Sequence, residues 1–204
     1  MEALDQPINM LITLYGINNI GKSTHAKLLV DKLNAEGHAA VYVKYPVYDM
    51  EPTGPALNQF LRGGEAQNIS EEELQMWFAL NRFQFEPTLK GWLAEGKIVV
   101  AEDYTGTGIA WGTVKGAKTD WLESLNAPLL KEDLAILMDG QRQHEAAEEG
   151  HLHESNEAVM NRSRDVHLDL GKKYGWKRIE LQDKKEDTAA LIWELVNLHL
   201  QAGS

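Results

Sequence analysis

In the stretch Gly16-Ile17-Asn18-Asn19-Ile20-Gly21-Lys22-Ser23-Thr24 near the start of the chain, the first eight residues fit the pattern G-x-x-x-x-G-K-[ST]. The glycines let the backbone curl until successive N–H groups point inward, and a helix starting near Gly21 adds its positive end. Such a loop cradles phosphate oxygens. Lys22 reaches the β- and γ-phosphates as a mobile charge, and the Ser23 hydroxyl is placed to coordinate Mg²⁺. The chemistry expected is binding of ATP or another nucleoside triphosphate. No N/T-K-x-D segment of the kind that reads a base in G proteins occurs, which leaves a small kinase or an ATP-driven switch.

A phosphate loop needs a strand to launch it and a helix to close it. Asn9 to Tyr15 (NMLITLY) is a nearly continuous apolar run ending on glycine, the pattern of a strand buried on both faces, and implies a parallel sheet. Lys22 to Glu36 carries apolar residues at Ala26, Leu29, Val30 and Leu33, a helical spacing that closes at Gly37. The alternation continues with a strand over Ala39 to Tyr45, a short helix over Ala56 to Leu61, and a long helix started by Ser70 with Glu73 three residues on. Pro87 is expected to kink or interrupt that helix. Ile98 to Ala101 and Leu134 to Met138 read as central strands, separated by an irregular Gly-rich stretch through Gly116. Asn156 to Tyr174 reads as a helix, Trp176 to Leu181 as a last strand and Asp187 to Leu200 as a closing helix. The pattern predicts an α/β fold, a doubly wound five-stranded parallel sheet with helices on both faces, in a single domain over residues 1–204.

The 204 residues hold 20 Lys plus Arg against 31 Asp plus Glu, a formal charge of −11. That charge repels a phosphate backbone over most of the surface and argues against nucleic acid and anionic membranes as partners. With no cysteine, disulfides, thiolate nucleophiles and Cys-ligated zinc are excluded. The composition suits a reducing cytoplasm, and the opening MEALDQPINMLITLYG reads as neither signal peptide nor membrane span. A cytoplasmic protein is expected.

In an open parallel sheet, ligands gather at the carboxyl ends of the strands, and the phosphate loop, Lys44 and Glu102 all follow predicted strands. Glu102, an acid at a buried strand end, is expected to hold the Mg²⁺ shell or to orient an acceptor phosphate. On the long helix Phe78 and Arg82 are four residues apart, so ring and guanidinium share a face and can grip a flat base together.

From about Asn9 to about Leu181 the order of motifs resembles the thymidylate kinase family. The phosphate loop with its GKST ending is the first segment. Val43-Lys44-Tyr45-Pro46 is similar to the family's Arg-Phe-Pro or Arg-Glu-Pro, whose basic residue meets the acceptor monophosphate. Phe78-Ala79-Leu80-Asn81-Arg82 resembles F-x-x-[ND]-R, whose ring stacks on thymine while the arginine binds the acceptor nucleotide. Val99 to Trp111 is similar to the strand-end D-R-[YH] and the loop that encloses the nucleoside; Asp120-Trp121 and Lys131 to Leu134 also look like that family. The resemblance implies phosphoryl transfer from ATP-Mg²⁺ to dTMP, giving dTDP and ADP. It implies acceptor contacts from Lys44, Tyr45, Phe78, Asn81, Arg82, Asp103, Tyr104, Thr107, Gly108 and Trp111. Thr107 and Gly108 would lie against the base edge and Trp111 near the deoxyribose. Metal contacts would come from Ser23 and Glu102. A homodimer through the long Glu71 to Leu93 helix is implied as well.

Two departures bear on that reading. Where the family has Asp-Arg-Tyr this chain has Glu102-Asp103-Tyr104, a charge reversal beside the expected acceptor phosphate. Either Arg82 and Lys44 compensate or the acceptor differs. Many family members pair an acidic residue at the Asn18 position with a basic neighbour or a basic residue in a mobile lid. Asn19 is neutral, which assigns the positive charge to a lid at about residues 140–156. Arg142, the only arginine between the Leu134 to Met138 strand and Arg162, is the candidate clamp on the moving phosphoryl group. His144, His151 and His153, set among glutamates, read as an H-x-H metal site or as a solvated flap. The rival functions are a kinase for another deoxynucleoside monophosphate or a deoxynucleoside, and a regulator that holds ATP without efficient transfer.

Overall fold

The computed structural model describes residues 9–62, 69–140 and 157–202. In chain order the elements are β1 (Met10–Tyr15), α1 (Lys22–Ala35), β2 (Ala40–Lys44), α2 (Thr53–Arg62), α3 (Glu71–Ala94), β3 (Ile98–Glu102), α4 (Thr105–Val114), α5 (Thr119–Asn126), β4 (Leu134–Asp139), α6 (Glu157–Tyr174), β5 (Lys177–Glu180) and α7 (Lys185–Ala202). The five strands form one parallel sheet in the order β2-β3-β1-β4-β5.

Successive side chains of a strand point to opposite faces, so an uninterrupted apolar run demands cover on both. Every residue of β1 and β3 is buried. On one face Ile12, Leu14, Val100 and Ile136 pack with Leu29 and Leu33 of α1 and Ile192 and Val196 of α7. On the other, Leu11, Val99 and Ala101 pack with Phe85 and Leu89 of α3. The edge strand β5 needs less cover, and its Lys177, Arg178 and Glu180 are exposed.

Two expectations from sequence are corrected. Pro87 does not interrupt helix α3, which is continuous from Glu71 to Ala94. Proline forfeits one backbone hydrogen bond, but Phe85 and Leu89 on either side are buried against the sheet, and that packing holds the helix through the defect. The Gly-rich stretch taken as irregular is helix α4, followed by α5. Glycine's poor helix propensity argued for a loop, but here the missing side chains make room for neighbours. A Cβ at Gly106 would stand 2.5 Å from the Trp176 ring, and one at Gly112 would stand 2.8 Å from Leu122. Among the described residues no helix is long and apolar enough to cross a membrane.

Candidate active site

The phosphate loop leaves β1 at Gly16, where φ is +141 and a Cβ would stand 2.6 Å from the carbonyl oxygen of Met138 at the end of β4. Asn19 and Gly21 adopt the left-handed region (φ 60 and 91), which turns the chain over the start of α1. No side chain caps α1 at Gly21, so its leading N–H groups face the loop as anion donors. Lys22 is 4% exposed. Its Nζ donates to the carbonyls of Gly16 (2.9 Å) and Ile17 (2.8 Å) and lies 3.4 Å from Asp103 Oδ1.

Strand register brings the remaining charges to the same end of the sheet. Glu102 pairs with Leu14 of β1 and Lys44 of β2. Its buried carboxylate accepts from Ser23 Oγ (2.8 Å) and the Tyr42 hydroxyl (2.5 Å), with Lys44 Nζ 3.4 Å away. Burial and the Glu102 hydrogen bond push the Tyr42 phenol up, so it stays a donor. Asp103, in the left-handed region at φ 61, accepts from Thr107 Oγ1 at 3.0 Å. The reversed charge is therefore accommodated as the counter-ion of Lys22, although burial pushes its carboxyl up.

Two helices wall a cavity of about 590 Å³ beside the loop. Glu71, Gln75, Phe78 and Arg82 line it from α3, spaced four, three and four residues apart; Thr107, Gly108, Trp111 and Lys115 line it from α4. Asn18, Asn19, Gly21, Lys22, Ser23 and Thr24 close one end, joined by Lys44, Tyr45, Glu102 and Asp103. One space thus holds the phosphate loop, both carboxylates and the Phe78–Arg82 face. Glu71 accepts from Gln75 Nε2 at 2.8 Å, and burial raises its pKa.

Four named residues do not line this cavity. Gly16 contributes the carbonyl that holds Lys22, and Ile20 is core. Asn81, expected at the acceptor, is buried and committed elsewhere: its Oδ1 accepts from Val47 N (2.7 Å) while its Nδ2 donates to Val47 O and Thr53 Oγ1 (both 2.9 Å). It pins the segment after β2 rather than facing the cavity. Tyr104 packs behind the wall against Tyr45, ring centroids 5.1 Å apart. Arg142 and the three histidines lie outside the described residues, as does the lid segment apart from Gly140.

Sequence reading missed Tyr42, Gln75, Arg62, Lys115 and Asn126. Gln75 and Lys115 were reachable, since each sits one helical turn from a residue already singled out. Asn126 was not: its Oδ1 accepts from Arg82 at 3.0 Å across 44 residues of chain. Beyond the cavity, Asp139 at the end of β4 accepts from Arg164 (Nε 2.6 Å, Nη2 2.9 Å) and from Arg178 (Nε 2.8 Å).

A parallel sheet with β1 at its centre, a phosphate loop, and a second cavity half walled by an aromatic and an arginine define a P-loop nucleotide kinase. The family model for thymidylate kinase matches residues 14–192. The chain belongs to the thymidylate kinase family. It is 30% identical over 132 residues to the thymidylate kinase of Homo sapiens, covering 64% of this chain and 61% of that protein. With the thymidylate kinase of Arabidopsis thaliana it shares 25% identity over 198 residues, 96% of this chain and 73% of that one. Among solved structures, a thymidylate kinase from Candida albicans superposes with a TM-score of 0.76 at 21% identity, over 94% of this chain and 92% of the other, and so shares the fold.

Proposed function

We propose that the protein transfers the γ-phosphoryl group of ATP to dTMP, giving dTDP and ADP in a reducing cytoplasm. The observation that carries this reading is the continuity of one cavity from Lys22 and Ser23 to Phe78, Arg82 and Trp111. Donor and acceptor must meet in line with their charges offset, and little covalent chemistry is asked of the protein. The loop N–H groups and Lys22 hold the triphosphate. Lys44 meets the acceptor phosphate, Phe78 stacks on the base and Arg82 holds its edge. Glu102 keeps Lys44 and Ser23 in place. An acceptor phosphate oxygen then attacks the γ-phosphorus and the bond to the ADP oxygen breaks.

Among the described residues no group of three or more His, Asp or Glu side chains gathers as a metal cage. The Ser23 hydroxyl and Glu102 carboxylate, 2.8 Å apart, fit instead the partial shell that Mg²⁺ uses when phosphates and water complete it. Bound there, Mg²⁺ would neutralise charge on the transferring phosphates. Arg142 remains the proposed clamp. Met76 and Leu80 on α3, 48% and 46% exposed, are the surface a homodimer would cover, and sedimentation tests that state.

An ADP-release assay over dTMP, dUMP, dGMP, dCMP, UMP and thymidine tests the activity, with dTMP expected to give the highest kcat/KM. Asp103 favours one second reading, a neutral hydroxyl acceptor. Turnover with thymidine above that with dTMP would establish it. Absence of turnover with every acceptor would leave an ATP-holding regulator.

A further inference from the structure

Arg82 is 3% exposed; among the described residues no carboxylate lies within ion-pair distance of it, and Asp103 acts on it only through its charge. Burial lowers its pKa, and its Nε has no hydrogen-bond partner. A buried guanidinium is ordinarily matched by an acid. Here an amide takes that place: Arg82 Nη1 donates to Asn126 Oδ1 at 3.0 Å. The amide cannot be turned round, because Asn126 Nδ2 donates to the carbonyl of Leu122 at 2.8 Å. On the cavity side, a Cβ at Gly108 would stand 2.7 Å from Arg82 Nη2 and 3.0 Å from Nη1. The guanidinium therefore lies flush on the α4 backbone, with Asn126 at its back.

We propose that Asn126 is a positioning residue for acceptor recognition, aiming Arg82 into the cavity while leaving its positive charge unspent. An acid at position 126 would accept the same hydrogen bond but neutralise the cation. An apolar residue would release it. Charge-assisted hydrogen bonds to a base carbonyl are the stronger kind, so the neutral amide keeps Arg82 at full strength for the ligand. Gly108 completes the device by allowing close approach. This inference rests on the acceptor reading of the Arg82 face given above.

Asn126→Asp and Gly108→Ala test it from two sides of the same guanidinium. Each is expected to raise the acceptor KM about tenfold, the scale of one lost charge-assisted hydrogen bond, with ATP KM unchanged. In an Arg82→Met background, Asn126→Asp should raise acceptor KM no further. A fall in Tm with both KM values unmoved would make Asn126 merely structural and overturn the proposal. So would an undiminished effect of Asn126→Asp in the Arg82→Met background. Should Asn126→Asp fail to fold, Gly108→Ala still decides, because an unchanged acceptor KM there refutes the need for close approach. Arg82→Ala alone separates the two levels: if it weakens ATP and spares the acceptor, the acceptor reading itself fails. If it weakens the acceptor while Asn126→Asp does not, only the positioning role fails.

Discussion

Lys22 draws its character from its neighbours. Two loop carbonyls and Asp103 surround the ammonium, so Lys22→Met removes a cation the site is built around. Turnover should fall at least about a hundredfold in steady-state kinetics, and thermal unfolding should show a lowered Tm because Asp103 loses its counter-ion. His167 on α6 is a further buried titratable group, near enough to feel the Lys22 charge. It is 1% exposed, its Nδ1–H donates to the Ser163 carbonyl at 2.8 Å, and its Nε2 has no partner. Burial, reinforced by the Lys22 charge, lowers its pKa to about 4. The unfolded chain binds this proton first as pH falls from about 6.5, so the neutral ring's contribution is complete above that pH and is lost on the way down to about 4. The loss approaches about 3 kcal/mol. A Tm profile over that range should be flatter in His167→Phe than in the parent; equal slopes would remove His167 from the acid sensitivity.

At the level of elements, the long α3 helix carries both the site face and the sheet cover, and its start is set by one hydroxyl: Ser70 Oγ accepts from Glu73 N at 3.1 Å. Ser70→Ala should cost about 1 kcal/mol in denaturant unfolding without altering acceptor KM. That start was legible, as were the five strands, because apolar runs and capping residues are local signals. Helix α4 was not. Gly106, Gly108 and Gly112 read as a loop until Trp176, Arg82 and Leu122 are seen against them, and the first two of those partners are distant in sequence while Leu122 belongs to the next helix. Asn81 shows the converse failure. A motif placed it beside the ligand, but Val47 and Thr53 claim every polar atom of its side chain. Phe78 and Arg82 were readable because a four-residue spacing fixes a common face without knowledge of the rest of the fold.

For the whole molecule, the strand order matters more than any single contact. With β1 between β3 and β4, the chain crosses to opposite sides of the phosphate loop before and after β3, and the crevice opens where those paths diverge. In a chain of net charge −11, Lys22, Lys44, Arg62, Arg82 and Lys115 line one cavity against Glu71, Glu102 and Asp103, a local excess of cations that suits it to polyanions. Since ligands that bind only the folded state raise its stability, ATP-Mg²⁺ and dTMP should each raise Tm. Lys22→Met should erase the first shift and keep the second. Loss of both in that variant would mean that the two subsites are not separable as described.

The loop carbonyls that enclose the Lys22 ammonium also hide it from reagents. An amine-acylating label should therefore sort the lysines of the unliganded protein by access, modifying Lys172, whose side chain is 79% exposed against 4% for Lys22, long before the loop amine. Lys44, 40% exposed, would be reached well before Lys22, so early loss of rate should track acylation of Lys44 in a peptide map that still shows Lys22 unmodified.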